Sequence, residues 1–556
     1  MKAAMKNLIA ALGHPRAPLV ASVLVPVLLG LLSLRMGQDI NWDLQNYHWY
    51  NPYALLNGRL EADMGPGGWQ SYFNPTIDLP YYLMMQALPA PLVGFVMGCV
   101  HGLNFVLVLA IARRVLGSDA GRSRLTLLLA IAGVCGAGFL SQLGNTMGDN
   151  LTSLLVLSPL YLVLRGWQGL QAGMGRALGL LALSGLLMGL GAGLKLTNAT
   201  YAAALAVALL TMPLPFGRRL GNAVLYGCAA LAGLLASAGY WWLTMWQQFG
   251  NPLFPQFNQI FRSPLARQIG VIDSEHLPHN ALEALFWPFV FIKDISRVSE
   301  IVLRPAVMPA LYAAALVFVF VWLAGRLRRP GDAAGAQPRL SPQACFLLVF
   351  GLVAYLAWLK LFSIYRYLVP LELLAPLMLW LLIERIAPRC YAARLGGWLL
   401  AATSIAVFPF VSWGHSRWAE TGISASFPVL AQPASTIVFI GHGDPPMGWL
   451  AAFVPPEVRV ISLTGGFPES PAYLQRIQAV IASRPGPYYA MLATARKDNP
   501  RALQEAPARN HALFQTSQDN LSRYGLSIAE AGCKEYPAAI GSTALPFRLC
   551  PVTRTR

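Results

Sequence analysis

The feature that most limits what this chain can fold into is a recurring apolar run long enough to cross a bilayer. A span needs about 20 mostly apolar residues. Runs of that length, or somewhat shorter, lie at 17–36, 91–112, 125–143, 149–164, 177–194, 198–214, 222–246, 305–325, 343–361, 367–384 and 396–412. About eleven transmembrane helices are therefore expected, the fourth and sixth of them short. The segment 284–292 is apolar but too short to span, and reads as interfacial or re-entrant. Composition agrees. Only 12% of the 556 residues are Asp, Glu, Lys or Arg, against roughly 25% in soluble domains, and mean hydropathy is +0.50. A string of soluble domains, a disordered chain and a disulfide-dense miniprotein are all excluded. The expected fold class is an all-α polytopic membrane protein with a small C-terminal α/β domain.

The formal net charge is +17. In a soluble protein that would point to nucleic acid, but topology accounts for it better. With the N-terminus in the cytoplasm, the short cytoplasmic segments hold Lys2, Lys6, Arg16, Arg113, Arg114, Arg122, Arg124, Arg165, Arg176, Arg218, Arg219, Arg326, Arg328, Arg329, Arg339, Arg385, Arg389 and Arg394. The same segments hold only Asp119, Asp332 and Glu384 as acids. This is the positive-inside pattern, and no nucleic-acid partner is inferred. The first run lacks a small-residue cleavage site and reads as a retained span, not a signal peptide. An odd number of spans then places the chain end outside the cytoplasm.

Two modules follow: 1–412, transmembrane, with outer loops at 37–90 and 247–304, and 413–556, where charge density becomes ordinary. In the second, 436–440 and 458–463 read as strands, and 473–483 and 494–513 contain helical stretches. Of seven cysteines only Cys533 and Cys550 lie there, and an oxidising periplasm permits them to pair.

Acids gather on the outer side: Asp39, Asp43, Glu61, Asp63 and Asp78 in the first outer loop, Asp149 before the fourth span, and Asp273, Glu275, Glu283, Asp294 and Glu300 in the long loop. Ionisable groups at this depth are costly unless they act. In the first loop Asp43, Tyr47, Tyr50 and Ala54 recur at helical spacing and Gly58 is a plausible stop. The expectation is an amphipathic helix along the outer membrane surface. Asp43 or Asn41 either caps it or serves a site. Trp42, Tyr47, His48 and Tyr50 suit an interfacial belt or a sugar, whose apolar ring faces stack on aromatics. Asp149 is either an N-cap or a second acid in the same cavity. Lys195 at the outer end of the fifth span runs against the charge bias; it snorkels or meets an anionic head group. Arg366 and Tyr367, at the outer start of the tenth span, form an interfacial anchor or a bidentate phosphate contact. Glu372, within that span, would neutralise a nearby cation. Asp273, Glu275, His276 and His279 match no strong metal-ligand spacing. No nucleotide or zinc-protease motif occurs in context.

These pieces together resemble the GT-C class of integral membrane glycosyltransferases, near its bacterial protein O-mannosyltransferase and aminoarabinose transferase types. That class carries its catalytic acid in the first outer loop, often as Asp-Glu-x-x-Tyr. Asp43 and Tyr47 match, and Leu44 stands in place of the Glu. Asp149 is similar to the second acid, Gly193-Leu-Lys195-Leu-Thr197 to the Gly-x-Lys-x-Thr stretch, and Arg366-Tyr367 through Pro370 to the Arg-Tyr…Pro segment near the lipid phosphate. Gly250-Asn251-Pro252 to Pro264 is similar to a stretch of uncharacterised bacterial members. The resemblance covers roughly residues 20–385. It implies a multi-pass bacterial inner-membrane enzyme with a periplasmic C-terminal domain. It implies a polyprenyl-phosphate sugar donor and a glycan, lipid or protein acceptor, with transfer by inversion. Asp43 would be the base, Asp149 a supporting acid, and Lys195 and Arg366 the phosphate clamp. A divalent metal would be an alternative to part of that clamp. A transporter or flippase for a lipid-linked sugar is the competing reading; the inverted repeats that would favour it are not evident.

Overall fold

The computed structural model of the protein describes residues 12–117, 119–270, 274–327, 340–495 and 500–555. Lys2, Lys6, Arg328, Arg329, Arg339, Asp273 and Asp332 lie outside the described residues. In hydrocarbon every backbone polar group must be satisfied within its own segment, so apolar runs become helices. They do so at Ala17–Met36 (α1), Ala90–Leu116 (α2), Ala120–Val134 (α3), Asp149–Arg165 (α4), Gly175–Leu194 (α5), Ala199–Leu209 (α6), Phe216–Phe249 (α7), Val307–Leu327 (α8), Pro342–Leu361 (α9), Val369–Ile386 (α10) and Arg389–Ile405 (α11). Among the described residues, seven helices are long and apolar enough to cross a membrane: α1, α2, α5, α7, α8, α9, and α10 with the turn before it. The other four expected spans are helical but shorter, at 15, 17, 11 and 17 residues for α3, α4, α6 and α11. Eleven crossings are therefore not established. The 284–292 segment is shared between two short helices, Ala281–Leu285 and Trp287–Lys293.

The break after α3 has a specific cause. Glu372, buried in α10, accepts the Gly138 N–H (3.1 Å), the Phe139 N–H (3.0 Å) and the Tyr365 hydroxyl (2.7 Å). Among the described residues it pairs with no cation, contrary to expectation. It caps the one-turn helix Ala137–Ser141 and pins the turn Tyr365–Leu368 against it. A side chain at Gly136 would collide with the Glu372 carboxylate. Similarly, α5 packs so closely on α7 that a Cβ at Gly193 would overlap Ser237 Oγ. That approach sets the position of Lys195 two residues on.

Within residues 413–495 and 500–555 a mixed sheet forms, its strand path running 459–462, 437–440, 488–493, 547–554 and 526–528. Its strands are Ile437–Ile440 (β4), Arg459–Ser462 (β5), Tyr488–Ala493 (β6), Leu526–Ile528 (β7) and Phe547–Arg554 (β11). Gln38–Asp39 (β1) pairs with His415–Ser416 (β2), while Ile423–Ala425 (β3), Ala538–Ile540 (β9) and Thr543–Ala544 (β10) form a small second sheet, and Lys534–Tyr536 (β8) pairs with β11. β4 runs parallel to both β5 and β6. Pro471–Ser483 (α12) and Pro500–Ser522 (α13) are the domain's two long helices.

The first outer loop belongs to this domain as much as to the helices. Met64 bridges Ile461, and Asp63 Oδ1 accepts the Val460 N–H (2.9 Å). Asp63 is itself held by Arg59 and by the Tyr50 hydroxyl (2.9 Å). The surface helix expected over 43–54 is instead a π-helical turn, Leu44–His48, followed by helix Tyr50–Leu56. Both pack against the C-terminal domain. Leu44, Trp49, Tyr50 and Ala54 share an apolar core with Trp449, Leu450 and Val460, and burying such side chains is worth roughly 1.5–3 kcal/mol each. Gly58 is the stop, at φ +62°, with the Arg59 N–H returning to Ala54 O (2.8 Å).

Cys533 and Cys550 are joined in a disulfide. Replacing both by Ser is expected to lower the domain's stability by about 2–4 kcal/mol, the usual contribution of such a crosslink. The unfolding temperature of oxidatively matured protein measures this. Equal stability, or mass mapping that finds both thiols free, would overturn it.

Candidate functional site

Asp39 ties the first outer loop to the start of α4. Its Oδ1 accepts the Asn41 N–H (3.0 Å), and its Oδ2 accepts the Thr146 N–H (2.9 Å) and hydroxyl (2.8 Å). Asn41 Oδ1 in turn accepts the Leu44 N–H (2.8 Å), so Asn41 caps the turn that carries Asp43. Asp43 makes no capping bond. The residue before α4 is Gly148, left-handed at φ +84° and without a side-chain cap. Capping is thus not the role of either Asp43 or Asp149.

Both acids meet cations instead. Asp43 Oδ2 lies 2.8 Å from Arg366 Nη1, and Asp149 Oδ1 lies 2.5 Å from Lys195 Nζ. Lys195 also donates to Met147 O (2.8 Å). The Tyr367 ring stands 5.2 Å from Lys195 Nζ and 5.3 Å from Arg366 Cζ, close to both cations. The Trp413 ring also lies against Arg366, 5.5 Å from Cζ. Among the described residues, Asp149 Oδ2 and Arg366 Nε are buried with no hydrogen-bond partner. Such atoms are costly unless something meets them. Burial would push the Asp43 carboxyl up, but the Arg366 guanidinium, helped by His48, holds it below the usual carboxylate range.

Tyr47 stands beside His48, ring centroids 4.1 Å apart, and edge-on to Phe73 at 5.5 Å. It lies within electrostatic range of Asp43 and Arg366. His48 Nδ1 is 2.6 Å from Asp78 Oδ1, both buried. Burial opposes the imidazolium, yet the Asp78 carboxylate raises the His48 pKa above its ordinary value. A raised folded-state pKa contributes stability that is complete below about 6.5 and is lost as pH rises through the folded value. The unfolding-temperature gap between wild type and His48→Gln should therefore shrink as pH is raised. A gap that widens with pH would refute this.

The structure brings together Asp43, Asp149, Lys195, Arg366, Tyr367, Tyr47 and His48. It places Tyr50 elsewhere, in the core on Asp63. Trp42 points away toward the C-terminal domain, its indole N–H on Asp444 Oδ1 (3.1 Å). Asp39 and Asp78 were visible only as outer-side acids, and nothing in sequence marked Trp413.

For a divalent metal the chemistry of the donors does not fit. Each acid spends an oxygen on a cation, Leu44 supplies no donor, and no cluster of three or more His, Cys, Asp or Glu side chains suited to a metal occurs among the described residues. His276 instead faces Glu300 (3.8 Å) and His279 faces Glu283 (3.7 Å).

No known family profile matches the chain, and no curated protein matches it. Among solved structures it is similar to ArnT from Cupriavidus metallidurans bound to undecaprenyl phosphate, at 14% identity over 96% of this chain and 98% of that one, TM-score 0.47. It is also similar to the Archaeoglobus fulgidus oligosaccharyltransferase in complex with Zn and sulfate, at 12% identity over 85% and 67%, TM-score 0.42.

Proposed function

We propose that the protein transfers a sugar from a polyprenyl-phosphate donor to an acceptor hydroxyl or amine, with inversion, at the periplasmic face of a bacterial inner membrane. The observation that carries this is the paired arrangement of Asp43–Arg366 and Asp149–Lys195 around one tyrosine ring, where the outer loop meets the helix ends. The acceptor atom attacks C1 and passes its proton to Asp43. The bond from C1 to the phosphate oxygen breaks on the opposite face, and its electron pair leaves with the lipid phosphate. Arg366 and Lys195 meet that charge. Phosphate competes with Asp43 for Arg366, so donor binding frees the carboxylate and raises its basicity at the moment it is needed.

Full-length protein in lipid nanodiscs, offered polyprenyl phosphate and a set of polyprenyl-phosphate-linked sugars, tests the reading. Saturable binding of the lipid and consumption of at least one donor are expected, with loss of one sugar from envelope glycans or glycolipids in a deletion strain by mass spectrometry. Absence of lipid binding, together with unchanged glycans, would sink it. The sidedness has its own test. A phosphatase fused after residue 556 should be active, and an active cytoplasmic reporter there would refute the periplasmic placement.

A further inference from the structure

Between the first outer loop and the C-terminal domain lies a cavity of about 740 Å³, within the range of roughly 300–1,000 Å³ that small-molecule sites span. One wall is the carboxyl end of two parallel strands. His442 and Asp444 follow β4, and Thr494 follows β6. Ligands of open α/β sheets sit at that end. From the first outer loop, Trp42 and Gln45 join the lining, three residues apart on one face of the turn. Asp43, between them, turns to Arg366. The residue proposed as the base therefore sits on the partition between the phosphate clamp and this cavity.

The lining has a particular chemistry. Trp42 is 40% exposed and its bond to Asp444 fixes the ring plane. His442 Nε2 accepts the Ala493 N–H (2.9 Å). Burial pushes His442 down to about 4, so it is a neutral imidazole with its proton on Nδ1. Gln45, which already donates to Ile40 O (2.8 Å), and Thr494, whose hydroxyl donates to Glu535 Oε2 (3.2 Å), keep oxygens that can accept, and Thr516 adds a hydroxyl. Among the described residues, the one cation in the lining is Arg509, already 2.6 Å from Glu505. Much of the lining is apolar, Met447, Leu450, Leu513 and Phe547 among it, but an acyl chain would leave the Asp444 carboxylate facing hydrocarbon. An extended peptide would need a free strand edge, but β4 is paired by β5 and β6, and β6 by β4 and β11. A ligand dense in hydroxyls, with one flat apolar face, fits all of these features.

We infer that this cavity is the acceptor site and that the acceptor is a saccharide, stacked on Trp42 and hydrogen-bonded by Asp444, Thr494 and Gln45. The word acceptor rests on the transfer reading above; the saccharide site does not. The test uses the full chain in nanodiscs and ligand-observed NMR with a panel of glucose-, mannose-, galactose- and N-acetylglucosamine-based disaccharides. At least one should bind wild type. Trp42→Ala, which removes the platform, and Thr516→Trp, which fills the rim from an exposed position, should each weaken it tenfold or more. Binding of polyprenyl phosphate, measured in parallel, should be retained in both. No disaccharide bound, equal binding in both variants, or Trp42-dependent binding of short peptides in place of saccharides overturns the inference. Saccharide binding lost in both variants of a protein that never binds polyprenyl phosphate upholds the saccharide site and removes the transfer reading instead.

Discussion

Asp43→Asn is expected to lower sugar transfer by about a hundredfold or more, the usual scale for losing a general base, in a protein that still folds. Asn keeps the size of the side chain and can still accept a hydrogen bond from Arg366, but it cannot take a proton. The swap also removes the negative charge that compensates a buried guanidinium. A stability loss of about 1–3 kcal/mol is expected with it, the range for a buried polar group left imperfectly paired. Asn41 caps the turn independently, so the local backbone has no reason to unravel. Initial rates at saturating donor and a thermal unfolding curve on the same preparation separate the two effects. Asp149→Asn is the control. Its oxygen faces Lys195, not the proposed base, so its loss of rate should be milder. If Asp43→Asn retains near-full transfer while Asp149→Asn abolishes it, the two roles are exchanged. If both retain it, the chemistry lies elsewhere.

How far such a site can be read from sequence depends on the range of the interaction that makes it. The apolar runs locate helices because a bilayer leaves the backbone no other solution, and all eleven runs are helical. Their lengths are less legible. α3 ends early because a carboxylate from α10, more than two hundred residues away in sequence, occupies the space at Gly136. β4 and β5 were visible as β-branched runs, whereas β7 to β10 are two or three residues long, too short for any period. The segment 43–54 has a real helical spacing, but spacing says nothing about what covers a helix. The cover here is Trp449 and its neighbours, some four hundred residues on. Asp43 and Arg366 were each legible as an acid and a cation on one side of the membrane. Their pairing was not, because nothing local in either segment names the other.

Arg366 carries the second large effect. Arg366→Ala removes the guanidinium that Asp43, Tyr367 and Trp413 surround and leaves the Asp43 side chain, only 10% exposed, without its counter-ion. Breaking a buried pair from one side costs about 3–5 kcal/mol. The same substitution removes half of the proposed phosphate clamp. Polyprenyl phosphate binding should weaken by tenfold or more, since a charge-assisted hydrogen bond is worth roughly 1.5–3 kcal/mol. Arg366→Lys distinguishes the two contributions. It restores the charge, and with it most of the stability, but it lacks the planar fork that grips a phosphate through two parallel bonds. Near-normal unfolding with donor binding still weakened is therefore the expected signature of a clamp. Full recovery of donor binding by lysine would mean that charge alone suffices at this position. The double variant Asp43→Asn with Arg366→Ala removes both members of the pair, so it should be more stable than Arg366→Ala alone while remaining inactive. If the double variant is no more stable than the single one, the two residues are not energetically coupled, and the role assigned to their contact fails.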